Sequence, residues 1–255
     1  MYFYSMEYDF AIVYFGLTRS TKKVFNSHLF NVYQQLDKHN LTYKKFMHTW
    51  RTKDDSQKIW EETIPQKIDY EEYKLLNPDV YKIESQEEFL DSINMDDYFY
   101  KDIWETFGPA IWNPDGTDSQ GEWLPGLVKN HLCALESSKR CFEIVEKHVK
   151  NGDKFKYIMF IRPDVLIHNL LPLHEILPFN NKIHIPNYDH YAGLNDRFAI
   201  MNYENAFIYG KRINEIAEFR KTQGRIVSEI YVKYIINKYK MELNFINFVN
   251  EVIRP

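Results

Sequence analysis

Two short apolar segments place the strongest constraint on the fold. Residues 9–16 read Asp-Phe-Ala-Ile-Val-Tyr-Phe-Gly, and residues 155–161 read Phe-Lys-Tyr-Ile-Met-Phe-Ile. Such runs are typical of strands that are buried on both faces, as in a parallel sheet. A helical pattern and a second strand candidate at residues 43–50 follow the first run. This β-α-β order favours an α/β sheet with right-handed crossovers.

The remainder of the chain continues this alternation of helix and strand patterns. Residues 122–150 form the clearest amphipathic helix, because their apolar residues recur along one stripe. Short strands are predicted at 182–186, 198–201 and 241–248, a helix at 226–239, and either a strand or the start of a helix at 206–209. We therefore expect one α/β domain over residues 1–255, with a mostly parallel central sheet flanked by helices.

Residues 51–120 differ from the rest in composition. Between Arg51 and Glu105 lie 16 of the 36 acidic residues but only 7 of the 32 basic ones. Tyrosine, phenylalanine and tryptophan are interleaved with these charges, so the segment is too aromatic to be a disordered acidic tail. We interpret it as a partly helical insertion or subdomain within the domain.

Several classes of protein are excluded by composition. Two cysteines, Cys133 and Cys141, are too few for a disulfide framework or a cysteine-based zinc site. The net charge of −4 argues against a nucleic-acid partner. No run of about 18 apolar residues predicts a membrane span, and the first ten residues lack the basic region of a signal peptide. These features predict a cytoplasmic protein.

The most informative motif is Arg162-Pro163-Asp164, directly after the second apolar run. In open α/β sheets, ligands bind beyond the carboxyl ends of the strands. Pro163 restrains Arg162 to an extended conformation, which directs Asp164 beyond the sheet. A carboxylate there can hold Mg²⁺ or Mn²⁺ against a diphosphate. The alternative is that Asp164 only caps the segment that follows.

A polar loop at residues 188–198 is the second candidate. Asp196 can deprotonate a hydroxyl group that lies within hydrogen-bond reach. Arg197 can bind a ligand, or can pair with Asp196 or Asp164 in a purely structural role. His190 is a weaker candidate as a metal or phosphate ligand, since a single loop histidine is more often simply solvated.

Polar residues also follow the first two strands. Gly16 permits a close backbone approach, and Arg19 can bind a phosphate near the start of the next helix. His48 and Trp50 end the second strand at the same predicted edge, where Trp50 can stack on a base or pack in the core. No dinucleotide fingerprint, P-loop, nucleophile elbow or His-Glu-x-x-His motif is present.

These motifs occur together in one order: Phe-Gly-Leu-Thr-Arg at 15–19, His-Thr-Trp at 48–50, Tyr-Ile-Met-Phe-Ile-Arg-Pro-Asp-Val at 157–165 and Gly-Leu-Asn-Asp-Arg-Phe-Ala at 193–199. The combination resembles a group of nucleotide-sugar glycosyltransferases with a GT-A-like fold, found in large DNA viruses, algae and microbes. The resemblance covers about residues 8–50 and 120–254 and leaves the insertion unmatched. A viral origin would place the protein in the host cytoplasm.

The resemblance implies a Rossmann-like, GT-A-like sheet and a sugar donor carried on a nucleoside diphosphate, with a UDP-sugar as the first candidate. It also implies a glycan acceptor and a Mn²⁺ or Mg²⁺ ion held by an Asp-x-Asp motif. Asp164 matches the last aspartate of that motif, but Arg162 replaces the first. Arg162 can itself neutralise phosphate charge, so dependence on a metal is an open question.

By the same resemblance, donor binding is assigned to residues near the predicted sheet edge: Thr18, Arg19, His48, Trp50, Arg162, Asp164, Arg197 and Arg254. The general base is expected to be Asp196 or Asp189. We expect aromatic residues of the insertion, such as Trp104 and Trp112, to line the acceptor side of the cleft.

Two other functions remain open from the sequence. A nucleotidyltransferase on a similar sheet is less favoured, because residues 17–21 lack the Gly-rich loop with lysine that such enzymes usually carry. A non-catalytic carbohydrate-binding module is the other alternative, based on the aromatic and acidic insertion. Exposed aromatic residues would also be compatible with a homodimer.

Overall fold

A computed structural model describes residues 5–53, 68–110 and 120–254. In chain order, the strands are β1 (Glu7–Phe15), β2 (Tyr43–Arg51), β3 (Val80–Ser85), β4 (Lys154–Ile161), β5 (Val165–Ile167), β6 (Ile183–Pro186), β7 (Phe198–Met201), β8 (Leu243–Ile246) and β9 (Asn250–Val252). Seven of them form the central sheet in the order β3-β2-β1-β4-β7-β6-β8, and β5 pairs separately with β9.

The α-helices are α1 (Thr21–His28), α2 (Gln34–Lys38), α3 (Gln86–Asp91), α4 (Lys101–Phe107), α5 (Pro125–Lys150), α6 (Leu173–Ile176), α7 (Tyr203–Gly210), α8 (Ile216–Gln223) and α9 (Ser228–Lys238). A π-helical turn joins α1 to α2. Short 3-10 helices occupy Tyr70–Leu76, Met95–Asp97 and Arg212–Glu215.

The central sheet is mostly parallel. Strands β3, β2, β1 and β4 are parallel to one another, and β6 is parallel to β8. Strand β7 lies between β4 and β6 and is antiparallel to both. The predicted α/β fold, with a mostly parallel sheet flanked by helices, is therefore confirmed.

Strand β1 explains why the first apolar run is continuous. Its side chains alternate between the two faces of the sheet. Ala11 and Val13 pack in a core with α5, α7 and α9, whereas Phe10 and Ile12 pack in a second core with α2 and α6. Because both faces are covered, no position along the strand favours a polar residue.

The remaining sequence predictions have mixed outcomes. Residues 206–209 belong to helix α7, so the helical alternative is the correct one. The predicted last strand is divided between β8 and β9, which belong to different sheets. Cys133 and Cys141 are free and buried on α5.

Part of the predicted insertion belongs to the central sheet. Strand β3 lies within residues 51–120 and extends the sheet by pairing in parallel with β2. Helices α3 and α4 and two 3-10 helices account for much of the other described part of this segment. In the described parts of the chain, no helix combines the length and apolar character needed to cross a bilayer.

Candidate functional site

A cleft of about 440 Å³ opens at the carboxyl edge of the sheet. Its walls come from residues that follow β1 and β4, from the loop between β6 and β7, from the start of α9, from one face of α5 and from the segment after β9. Strands β1 and β4 are parallel neighbours, with Tyr14 opposite Ile161, so the segments that follow them leave the sheet side by side. This is the edge at which open α/β sheets bind ligands.

Gly16 makes the turn that carries the chain from β1 into the cleft wall. Its φ of 101° lies in the region that favours glycine. Its backbone N–H donates to Ser137 Oγ on α5 at 2.7 Å, and the same hydroxyl lies 2.8 Å from His48 Nδ1. The turn is therefore fixed by a buried hydrogen-bond network between the sheet and α5.

Two residues predicted to bind the donor lie behind the cleft wall. His48 is fully buried, its Nε2 lies 3.1 Å from Glu84, and burial lowers its pKa to about 4. Thr18 is also buried. Neither belongs to the residues that line the cleft, so we leave both out of the proposed donor site.

Asp164 lies at the centre of one half of the cleft. Its side chain is 2% exposed. Arg162 forms a bidentate pair of hydrogen bonds with it: Nε donates to Oδ1 at 2.9 Å, and Nη2 donates to Oδ2 at 2.7 Å. Arg19 Nη2 lies 3.2 Å from Oδ2. Burial opposes ionisation of this carboxyl, but Arg162 and Arg19 prevail and lower its pKa to about 2.

A third arginine reaches the same half from the end of the chain. Ile253 N donates to the Asp164 carbonyl at 2.9 Å, which holds the segment after β9 against the segment after β4. Arg254 follows directly and lines the cleft. Burial, and then the charge of Arg162, lower the pKa of Arg254. We call Arg19, Arg162 and Arg254, gathered around Asp164, the cationic half.

The opposite side of the cleft carries carboxylates. Asp196, from the loop before β7, and Glu229, from the first turn of α9, both line it. Asp189 also lines the cleft, but its Oδ2 accepts a hydrogen bond from Arg197 Nη1 at 2.7 Å. We call Asp196 and Glu229, together with the Asp189–Arg197 pair, the acidic half.

A close backbone contact holds this acidic half together. Leu194 N donates to the Glu229 carbonyl at 2.9 Å. A Cβ on Gly193 would lie 2.0 Å from the carbonyl carbon and oxygen of Glu229, so only glycine allows the loop to approach α9 this closely. The contact brings Asp196 and Glu229 to the same cleft.

Glu229 is a site residue that the sequence analysis missed. Burial, and then the negative charge of Asp196, raise its pKa to about 7, although Ser228 Oγ donates to Glu229 Oε2 at 2.7 Å. A carboxyl group with this pKa can take up or release a proton near neutral pH. The available signal was Ser228-Glu229 at a predicted helix start, a pattern that is equally typical of helix termini.

His131 on α5 was missed as well. It is 6% exposed and lines the cleft, and its ring makes edge contacts with Trp123 and Tyr231. Among the described residues, no hydrogen-bond partner faces its Nε2. Burial lowers its pKa to about 4, so the ring is neutral at neutral pH. Within the helical stripe of α5, the residue looked like an ordinary core position.

The aromatic residues of the cleft differ from those expected. Trp50 lines it, but its indole N–H donates to the Cys133 carbonyl at 3.0 Å and its ring stacks on Phe89, so it forms a fixed wall. Trp123 also lines the cleft. Trp104 packs near Phe99 and is not one of the lining residues. Trp112 lies outside the described residues.

His190 makes its described contacts with residues outside the cleft lining. Its Nδ1 accepts a hydrogen bond from Asn195 N at 3.3 Å, and its ring contacts Phe245. It is not among the lining residues, so the loop uses it to hold its own shape.

The donor set around Asp164 does not fit a divalent metal ion. Both carboxylate oxygens are already bound by guanidinium groups. Arg162, two residues before Asp164, carries a positive charge that repels a cation. Within the described ranges, no three histidine, cysteine, aspartate or glutamate side chains form a metal-binding group. We therefore derive no catalytic step through a metal.

Comparisons with solved structures find glycosyltransferases of low similarity. Mouse xyloside xylosyltransferase 1 aligns over 94% of this chain and 85% of its own, with 11% identity and a TM-score of 0.40. The mannosyltransferase Ktr4p from S. cerevisiae aligns over 96% and 70%, with 10% identity and a TM-score of 0.42. The galactosyltransferase LgtC aligns over 92% and 72%, with 8% identity and a TM-score of 0.35.

No protein-family model and no curated protein matches the sequence. At these identities and TM-scores, we draw no conclusion about activity from the three structures.

Proposed function

We propose that the protein transfers a sugar from a nucleoside-diphosphate donor to a hydroxyl group of a glycan or similar acceptor. The observation that carries the proposal is the division of one cleft into a cationic half and an acidic half at the carboxyl edge of the sheet. Glycosyl transfer needs both kinds of group, because a diphosphate leaves while a hydroxyl group loses its proton.

The cationic half suits the leaving group. Guanidinium groups bind phosphate oxygens through paired hydrogen bonds and stay charged at any physiological pH. Arg19 and Arg162 are already oriented by Asp164, so little rearrangement is needed when charge develops on the diphosphate. Trp50 and Gly16 provide the adjoining wall for the nucleotide.

The acidic half suits the acceptor. In the proposed reaction, the acceptor oxygen forms a bond to the anomeric carbon. The bond from that carbon to the diphosphate breaks, and its electron pair stays on the diphosphate. The hydroxyl proton passes to a carboxylate, and we assign this role to Asp196, whose negative charge acts on Glu229 in the same half. Asp189 is paired with Arg197 and is assigned the role of holding that arginine.

A panel of UDP-, GDP- and TDP-sugars tests the proposal. Each donor is incubated with the protein and a mixture of mono- and oligosaccharide acceptors, and nucleoside diphosphate and glycosylated product are quantified by chromatography. We expect one donor to yield both products in equal amounts. Release of pyrophosphate from a nucleoside triphosphate would instead support a nucleotidyltransferase.

Variants complete this test. Asp196→Asn should abolish product formation while donor binding persists. Arg51→Gln serves as the control, because Arg51 is exposed at the end of β2 and does not line the cleft. If no donor is bound or turned over, the proposed function is wrong. Glycan binding that survives loss of Asp164 and Asp196, without turnover, would indicate a binding module.

A further inference from the structure

The arginine cluster around Asp164 has a chemistry of its own. We infer that the cationic half binds the donor's diphosphate directly, with three guanidinium groups in the place of a divalent cation, and that Asp164 positions those groups. The inference rests on the proposed function, and it reassigns Asp164 from a metal ligand to a positioning residue.

The geometry of Asp164 is the first argument. A metal-binding carboxylate must present free oxygen lone pairs to the cleft. Here Oδ1 accepts from Arg162 Nε, and Oδ2 accepts from Arg162 Nη2 and from Arg19 Nε. The carboxylate is also almost completely buried. Three of the roughly four acceptor sites of this carboxylate are therefore used by guanidinium N–H groups, which leaves too few to hold a metal ion.

The charge of this half is the second argument. Arg19, Arg162 and Arg254 bring three positive charges against the one negative charge of Asp164. Other carboxylates act on this group as well. Burial lowers the pKa of Arg162, but the charge of Asp164, and then those of Asp196 and Glu229, raise it. Glu251 lines the cleft but is 55% exposed and lies 3.3 Å from His168. Because guanidinium groups outnumber the single carboxylate that they surround, this half attracts a diphosphate and repels a divalent cation.

The way in which the arginines are held is the third argument. Each comes from a separate segment: Arg19 after β1, Arg162 after β4 and Arg254 after β9. Thr21 Oγ donates to the Pro163 carbonyl at 3.2 Å, and Ile253 N donates to the Asp164 carbonyl. These contacts tie the three segments into one rigid anion site before any ligand arrives.

Calorimetric titration with UDP, and separately with inorganic pyrophosphate, tests the inference without relying on turnover. Each titration is done in EDTA and again with Mn²⁺. We expect the Kd of the protein for UDP to change by less than about threefold between the two conditions. Arg162→Ala should weaken UDP binding in EDTA by at least tenfold, whereas Arg51→Gln should leave it unchanged.

Two further variants separate a positioning role from metal ligation. Asp164→Asn should weaken UDP binding equally in EDTA and in Mn²⁺, because it releases the arginines. A metal ligand would show its loss only in Mn²⁺. Arg162→Asp, which restores the Asp-x-Asp pattern, should lose binding in EDTA. Circular dichroism and thermal melting show whether each variant is folded. If Arg162→Ala is not folded, Arg162→Lys takes its place in the titrations.

The outcomes distinguish the inference from the proposed function. If UDP binds only with Mn²⁺ and sugar transfer occurs, the inference is wrong and the function stands. If UDP binds in EDTA but no donor is turned over, the anion site stands and the function is wrong. Binding of pyrophosphate in EDTA with no preference for UDP would support the anion site and contradict a nucleoside-diphosphate donor.

Discussion

The two halves of the cleft are built in different ways. Two of the three arginines of the cationic half follow neighbouring parallel strands, and their positions are locked by buried ion pairs. The acidic half lies on a loop and on the first turn of α9. That loop holds Asp189, Tyr191 and Ala192 at φ values of 52°, 42° and 64°, a region that such residues rarely adopt.

This difference matches what each half would have to do. A diphosphate is the same in every donor, so a rigid site can be complementary to it. An acceptor varies between enzymes, and loops on a rigid scaffold are where specificity usually changes. Damage to the cationic half should therefore cost stability and donor binding together, whereas damage to the acidic half should leave donor binding intact and act mainly on turnover.

The largest effect is expected from Asp164→Asn. Removal of this buried charge leaves Arg162 and Arg19 without their shared partner, which costs about 3–5 kcal/mol of unfolding free energy. Urea denaturation at pH 7 measures the loss. Glu251→Gln is the matched control at the rim of the same cleft, and because Glu251 is exposed we expect a change below about 1 kcal/mol.

The pH dependence of that stability has a definite sign. The folded pKa of Asp164, about 2, lies below its ordinary value of 3.8. The stabilising contribution is therefore complete above pH 3.8 and is lost as the pH falls towards 2. Asp164→Asn should lack this acid-dependent loss. If the unfolding free energy of Asp164→Asn at pH 7 lies within about 1 kcal/mol of the wild-type value, the ion pairs of Asp164 do not stabilise the cationic half.

The next largest effect is expected from Asp196→Asn, this time on turnover alone. Loss of a general base typically lowers kcat by about 10²–10⁴-fold. The Kd for UDP and the unfolding free energy should stay near the wild-type values, because Asp196 lies in the other half. Steady-state kinetics with the active donor measures kcat, and calorimetry measures the Kd for UDP. A large loss of UDP binding would mean that the two halves do not act separately.

A smaller effect on turnover, but a clear one on pH dependence, is expected from Glu229→Gln. Glu229 is faced by Ser228, by the negative charge of Asp196 and by the positive charges of Arg197 and Arg162. In the wild type, kcat should change with an apparent pKa of about 7, which reports the ionisation of Glu229. In the variant, this change near pH 7 should be absent.

Stability gives an independent check on Glu229. Its folded pKa is raised above the ordinary value of 4.5. Its contribution to stability is thus complete below pH 4.5 and is lost as the pH rises through 7. The wild type should accordingly lose stability relative to Glu229→Gln over this range.

The kinetic result can contradict this assignment of the pKa of about 7 to Glu229. If kcat of Glu229→Gln still changes near pH 7, another group is responsible for that pH dependence.

The cationic half could be found from the sequence, since Arg162 and Asp164 directly follow an apolar run that has one structural interpretation. The same holds for Arg19 after β1. His48 shows the limit of this reasoning. The pattern located the end of β2 correctly, but it did not determine that the His48 side chain turns towards α5 and Ser137.

The acidic half could be predicted only in part. Asp196 and Arg197 stood out in a polar loop. Glu229 and His131 belong to helices, and nothing in their local pattern separates them from surface and core positions. They reach the cleft because Gly193 packs against α9 and because α5 crosses behind the sheet edge. Such contacts join residues far apart in the chain, and no local pattern encodes them.

The smallest effect is expected from Asp189→Asn. This residue was a candidate base, but its carboxylate contacts Arg197 at 2.7 Å and is 37% exposed. Exposed ion pairs contribute about 0–1 kcal/mol. We therefore expect kcat, and the equilibrium constant of unfolding, each to change by less than about fivefold. Kinetics of Asp189→Asn and Asp196→Asn, measured side by side, decide between the two carboxylates. An equal loss of kcat in both variants would assign Asp189 to the reaction beside Asp196.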